Sequence, residues 1–156
     1  MKPSVYLETS FLSYATGELN SDPRTRFRMD LSREWWSRKS NEYMLYVSDT
    51  VIFECQRGDL KQVERRMELI AQATPLVLTE GVNTLASLLR APHLIPGNAA
   101  NDALHIAFAT FYNCQYLLTW NFRHILNSSL IPKIRSILKE QGYELPDICT
   151  PESLFD

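Results

Sequence analysis

Glycine is scarce in this 156-residue chain, at five, and cysteine scarcer, at three. So few glycines, beside eight prolines, exclude a collagen-like or low-complexity chain. Cys55, Cys114 and Cys149 are far apart and form no C-x-x-C pair. That pattern argues against a disulfide framework or a zinc knuckle, and it reads as three small buried hydrophobes in a reducing cytosol. No run approaches the ~18 apolar residues of a membrane span, and Lys2, Pro3 and Glu8 interrupt any signal-peptide core. A dominant charge is also missing. Sixteen Lys and Arg against eighteen Asp and Glu leave a formal charge of −2, which excludes a globally basic nucleic-acid-coating protein but allows a local basic patch. What is present is 45% hydrophobic content, ordinary for a globular protein, without repeat, linker or composition break. Residues 1–156 therefore read as one domain.

Along the chain, short apolar strands alternate with amphipathic helices. Val5-Tyr6-Leu7 reads as a buried strand, with Thr9-Ser10 opening a helix. Phe27, Leu31 and Trp35 recur at helical spacing to about Lys39. Met44–Val47 is the second strand, and Ser48 caps a helix through Val51, Ile52 and Cys55 that Gly58 stops. Asp59 caps the next helix. Pro75 then breaks the chain before a third strand at Leu76-Val77-Leu78. Helices follow over Val82–Leu89 and Ala99–Tyr112, the second apolar on most sides. Tyr116–Thr119 is the fourth strand, Ile131–Gln141 a helix, and Asp147–Cys149 a short fifth strand. The alternation predicts an α/β/α three-layer sandwich on a mostly parallel sheet of four or five strands.

Ligands of open parallel sheets bind beyond the carboxyl ends of the strands. Glu8, Thr9 and Ser10 follow the first strand, and Thr119 and Asn121 close the fourth. Two more acids stand in poor places for a surface charge: Glu54 within Val51-Ile52-Phe53-Glu54-Cys55, and Asp102 at the start of the most apolar helix. Each has an ordinary reading alone, as a strand-end charge, a solvated helix position and a first-turn acid favoured by the helix dipole. Together, carboxylates converging on a strand-end crevice make a hard-oxygen site suited to Mg²⁺ or Mn²⁺. Such an ion acidifies water and neutralises a phosphodiester under attack.

The arrangement resembles the PIN-domain nuclease family, in toxin ribonucleases of bacterial toxin–antitoxin pairs among others. The resemblance is carried by Val5-Tyr6-Leu7-Glu8-Thr9-Ser10-Phe11-Leu12, by Glu54 in its apolar helix, by Asn101-Asp102-Ala103-Leu104-His105-Ile106-Ala107, and by Leu117-Leu118-Thr119-Trp120-Asn121-Phe122-Arg123-His124-Ile125. It implies a metal-dependent endoribonuclease with Glu8, Glu54 and Asp102 as metal ligands and Asn121 completing the catalytic set. It also implies an RNA substrate and an antitoxin partner, while the cysteine usage suggests a cytoplasmic setting and the Trp35-Trp36 pair reads as a packing or homodimer element. Two positions depart from the family. Glu8 and Asn121 stand where Asp is usual. The extra methylene of Glu8 is expected to carry its carboxylate outward by ~1.5 Å, and the neutral Asn121 leaves three negative charges instead of four.

Thr9, Ser10, Thr119, Arg123 and His124 are the candidate substrate-binding residues, the last two reaching a phosphate from the rim. His105, one turn beyond Asp102, reads as a packed, hydrogen-bonded histidine, with a crevice-facing role as its alternative. Arg24, Arg26, Arg28, Arg33 and Arg38 lie beside Trp35 and Trp36 but are interleaved with Asp22, Asp30 and Glu34, so a solvated helix face is preferred to an RNA groove. The competing function is a catalytically weakened PIN-like module that binds RNA or a protein partner.

Overall fold

A computed structural model describes residues 1–156. Five strands form one parallel sheet: β1 (Ser4–Leu7), β2 (Met44–Ser48), β3 (Thr74–Leu76), β4 (Tyr116–Leu118) and β5 (Asp147–Cys149), in the order β3-β2-β1-β4-β5. Seven α-helices connect them: α1 (Thr9–Thr16), α2 (Pro23–Lys39), α3 (Asp49–Cys55), α4 (Leu60–Ile70), α5 (Glu80–Leu89), α6 (Ala100–Phe111) and α7 (Ile131–Glu140). Helix α1 packs on α2 and α4, while α5 packs on α6 and α7. These two groups are the helical layers of the expected α/β/α sandwich.

The central strand explains itself physically. Val5, Tyr6 and Leu7 are fully buried, as are Leu117 and Leu118 of β4. A strand covered on both faces must be apolar throughout. Trp35 is also fully buried, and its indole N–H donates to the Leu154 carbonyl at 3.1 Å, which ties α2 to the C-terminal 3₁₀ turn. All three cysteines are buried, and burial pushes each thiol up to about 12. They pack as the small hydrophobes the sequence suggests.

The third strand differs from expectation. It covers Thr74–Leu76, with Pro75 inside it opposite Val47, while Val77 and Leu78 are exposed. The reason is its place at the sheet edge. A proline has no N–H to give to a ladder, and an edge strand has one side that needs none. The apolar run 76–78 reads as the strand in sequence because periodicity alone does not distinguish an edge from an interior.

The topology creates one distinctive place. The chain runs from β1 outward through β2 to β3, then returns to build β4 and β5 on the other side of β1. The carboxyl ends of β1 and β4 therefore flank the point where strand order reverses, which is where such sheets leave a crevice. Helix α3 bridges that edge, since it touches both α1 and α6.

Candidate active site

Glu8 is the first residue beyond β1. Its backbone N–H donates to Leu118 O at 3.1 Å, so the parallel ladder extends one step and sets Glu8 beside Thr119. The side chain serves as the N-cap of α1, accepting from Ser10 N at 3.1 Å through Oε2. Its Oε1 accepts from the hydroxyls of Ser10 and Thr119. The carboxylate is only 4% exposed. The longer side chain has thus not carried its charge outward. It has folded back onto the first turn of its own helix, where three donors compensate its burial. Ser10 Oγ also accepts from Trp120 N at 2.8 Å, so the pair links the β1 and β4 termini.

Glu54 reaches the same edge from α3. Its Oε1 accepts from Thr9 Oγ1 at 2.6 Å and from His105 Nε2 at 2.8 Å, while Oε2 has one donor, Asn101 Nδ2 at 3.3 Å. Burial pushes this carboxyl up. The His105 imidazole and the Thr9 and Asn101 donors outweigh burial and hold it below its ordinary value of 4.5. His105 is fully buried, and its Nε2 also lies 4.0 Å from Glu8 Oε2, so one imidazole serves two of the acids. Burial pushes its affinity for a proton down. The bond to Glu54 and the charges of Glu8, Glu54 and Asp102 outweigh this and raise it above 6.5.

Asp102 stands in the first turn of α6, and its Oδ2 accepts from His124 Nδ1 at 2.9 Å. Its Oδ1 makes no hydrogen bond. Asn121 does not point its carbonyl at these acids. Its Oδ1 accepts from His124 N at 3.1 Å, and its own N–H donates to Thr119 Oγ1 at 2.9 Å. It caps the turn that carries Arg123 and His124 to the rim, as Asn commonly does.

A cleft of about 610 Å³ opens between these elements, lined by Glu54, Asn101, Asp102, Arg123 and His124, with Pro96, Asn98, Ala99 and Ala100. The structure therefore brings Glu54 and Asp102 into one open cleft with Arg123 and His124. Thr9, Ser10 and Thr119 lie beneath, holding Glu54 and Glu8. No three acidic, histidine or cysteine side chains converge closely enough to ligate one ion unaided. The donor set still suits a hard divalent ion. Glu54 Oε2 and Asp102 Oδ1 are lightly engaged or free carboxylate oxygens, and Mg²⁺ is commonly held by one or two carboxylates together with waters and substrate phosphates.

Three participants escape a reading of the sequence. Tyr6 sits in a strand that reads as plain apolar, Ser48 as only a helix cap, and Asn101 as a helix residue. Tyr6 carried a signal. A tyrosine in a doubly covered strand must find a partner for its hydroxyl, and here it finds Ser48 Oγ and His105 Nδ1, each at 2.8 Å.

The fold is thus a five-strand, wholly parallel sandwich with acids at its switch point. The sequence profile of the PIN domain matches residues 5–125, and the chain belongs to the PIN domain family. Among solved structures it is similar to Mycobacterium tuberculosis VapC20, a toxin that cleaves the sarcin–ricin loop, at 15% identity and a TM-score of 0.59, over 77% of this chain and 92% of that one. It is also similar to VapBC2 from Rickettsia felis, solved bound to a DNA fragment from its promoter, at 15% identity and a TM-score of 0.52, over 94% and 97% of the two chains. At such identity the likeness is one of fold. No curated protein matches the chain in sequence. No helix is long and apolar enough to cross a membrane.

Proposed function

We propose that the chain is a metal-dependent endoribonuclease of the toxin type, acting on RNA at the cleft between α3 and α6. The observation that supports it best is the meeting of Glu54 and Asp102, far apart in sequence, in one open cleft beside Arg123 and His124. Each acid spends one oxygen on a histidine, Glu54 on His105 and Asp102 on His124, and keeps its other oxygen lightly engaged or free for a hard cation.

In this reading Glu54 and Asp102 hold Mg²⁺ or Mn²⁺, and Glu8 adds its charge from below. Bound there, the ion supplies Lewis acidity toward water and the phosphodiester. The protein's own residues do the rest. Thr9 and Asn101 orient Glu54. Asp102 fixes the His124 ring through Nδ1, leaving Nε2 to meet a phosphate oxygen. Arg123, exposed at the mouth, contributes a fixed positive charge to the RNA backbone. Thr119 and Ser10 hold the two strand ends at a constant spacing through Glu8.

A nuclease assay on mixed RNAs with Mg²⁺ or Mn²⁺, comparing the wild type with Asp102→Asn, tests the proposal. Cleavage that needs the ion and falls by about 100-fold or more in the variant supports it, since losing a metal ligand or its close supports commonly costs that order. Equal cleavage by both proteins, or none by the wild type, counts against it. A second reading has its own support. Asn121 lacks the charge of the usual acid, and Glu8 is buried and fully engaged. A module with that site would bind RNA or a protein partner and leave RNA uncut. The toxin reading also brings an antitoxin partner, testable by co-expression with any small DNA-binding protein encoded directly upstream.

A further inference from the structure

Four side chains from four elements form one hydrogen-bonded line beneath the cleft. Ser48 at the end of β2 meets the Tyr6 hydroxyl of β1, Tyr6 meets His105 Nδ1 of α6, and His105 Nε2 meets Glu54 Oε1 of α3, each at 2.8 Å. Ser48, Tyr6 and His105 are each fully buried, while Glu54 alone opens to the cleft. The line therefore runs from the core to the site and ends on a carboxylate. Its far end is anchored as well, because Ser48 Oγ accepts from Val51 N at 3.3 Å and so begins the helix that carries Glu54. The loop closes on itself through α3.

The two oxygens of Glu54 are treated differently. Oε1 receives both Thr9 Oγ1 and His105 Nε2, which occupies its two lone pairs. Oε2 receives only the longer Asn101 contact at 3.3 Å. Rotation about the terminal bond of a free glutamate is soft and two-fold. Here rotation would break two buried hydrogen bonds at once. Hydroxyl groups at Tyr6 and Ser48 suit the line because each can donate or accept. Whichever way the two hydroxyls point, Nε2–H remains on Glu54. An apolar residue at position 6 would pack as well but would leave Nδ1 unpaired in the core, where an unpaired polar atom is costly.

Taking Glu54 as a cation ligand, as in the reading above, we propose that Ser48, Tyr6 and His105 are positioning residues that lock Glu54 Oε1 and present Oε2 alone to the cation. They touch neither substrate nor ion. They act through Glu54, in the way buried partners of metal-bound carboxylates fix ligand orientation.

Calorimetric Mn²⁺ titration of the full chain, with thermal melts in parallel, tests this on the wild type, Tyr6→Phe, His105→Leu, His105→Gln and Leu138→Ala. Leu138 is a fully buried residue of α7 that takes no part in the site, so its variant reports what lost packing alone does. Tyr6→Phe and His105→Leu are expected to weaken Mn²⁺ binding by about 10- to 100-fold. His105→Gln is expected to recover part of that loss, since its amide can still donate to Glu54. Leu138→Ala is expected to melt lower at unchanged Mn²⁺ affinity. Tyr6→Phe keeps the ring and its packing, and so carries the test if His105→Leu fails to fold. Mn²⁺ affinity within twofold of wild type in folded Tyr6→Phe overturns the positioning role and leaves the metal reading standing. A wild type that binds no Mn²⁺ overturns the metal reading, and the positioning role with it.

Discussion

The Glu8 carboxylate turns inward, held by the Ser10 N–H and by the Ser10 and Thr119 hydroxyls. From the end of β1 the side chain reaches its own helix's first turn and the Thr119 hydroxyl together. Asn121 shows a parallel economy. Its Oδ1 is committed to His124 N, while its Nδ2 makes no hydrogen bond within the chain. Asn121→Asp would keep the turn, because one carboxylate oxygen can replace the amide oxygen. The second oxygen would stand where Nδ2 now does and add a charge near the cleft. Mn²⁺ binding is expected to tighten by roughly tenfold, about 1.4 kcal/mol. The metal-free protein is expected to melt lower, because another like charge joins Glu54 and Asp102. Calorimetry with metal-free melts reads both signs. Flat affinity with an unchanged melt would confine Asn121 to the turn.

At the scale of elements, α3 is short but decides the site. It is seven residues long, begun by Ser48, and it spans from α1 to α6 so that Glu54 can take Thr9 on one side and His105 and Asn101 on the other. The packing of α5 on α6 has a tight point of its own. A Cβ built on Gly81 would stand 2.2 Å from Phe111 Cε1, and that ring is itself held by Tyr112 and Tyr143, with centroids at 5.2 and 6.1 Å. Helix propensity alone favours alanine over glycine by about 1 kcal/mol. Close approach outweighs it here. Gly81→Ala is expected to destabilise the fold by about 1–3 kcal/mol, the usual cost of overpacking, as measured by chemical denaturation. A gain in stability would mean that the ring moves aside freely.

The whole molecule carries the charge balance of its site into its stability. His105 holds its proton more firmly folded than unfolded. Its contribution is therefore complete below its ordinary 6.5 and is lost as pH rises through the higher folded value. Glu54 runs the other way. Its folded value is lowered, so its contribution is complete above its ordinary 4.5 and is lost as pH falls through the lower value. The metal-free protein is thus expected to be most stable between about pH 4.5 and 6.5, with melting temperatures declining on either side. Melts in chelator across that range and beyond it check this, and His105→Gln should flatten the alkaline limb. A melting temperature that climbs steadily above pH 6.5 would contradict it.

The residues themselves determined a good deal. Apolar strands alternating with amphipathic helices dictate a covered parallel sheet, because a strand buried on both faces has no polar side to show. Glu54 and Asp102 stand out in the sequence as candidates because each is an acid in an apolar helix, a placement with a desolvation cost that needs a partner, and the fold sets both in one cleft. Other matters waited on the tertiary structure. Whether Pro75 breaks a strand or sits in one depends on whether that strand is an edge. Periodicity is a property of neighbours in sequence, and edge position is a property of neighbours in space. Glu8 and Asn121 read as members of one set with Glu54 and Asp102, yet their oxygens are spent on Ser10, Thr119 and His124. Where a flexible side chain aims is decided by whichever donors the fold brings within reach. The same holds for Tyr6, Ser48 and His105, which lie up to 99 positions apart and become one line only because β1 is central and α3 and α6 close over its end.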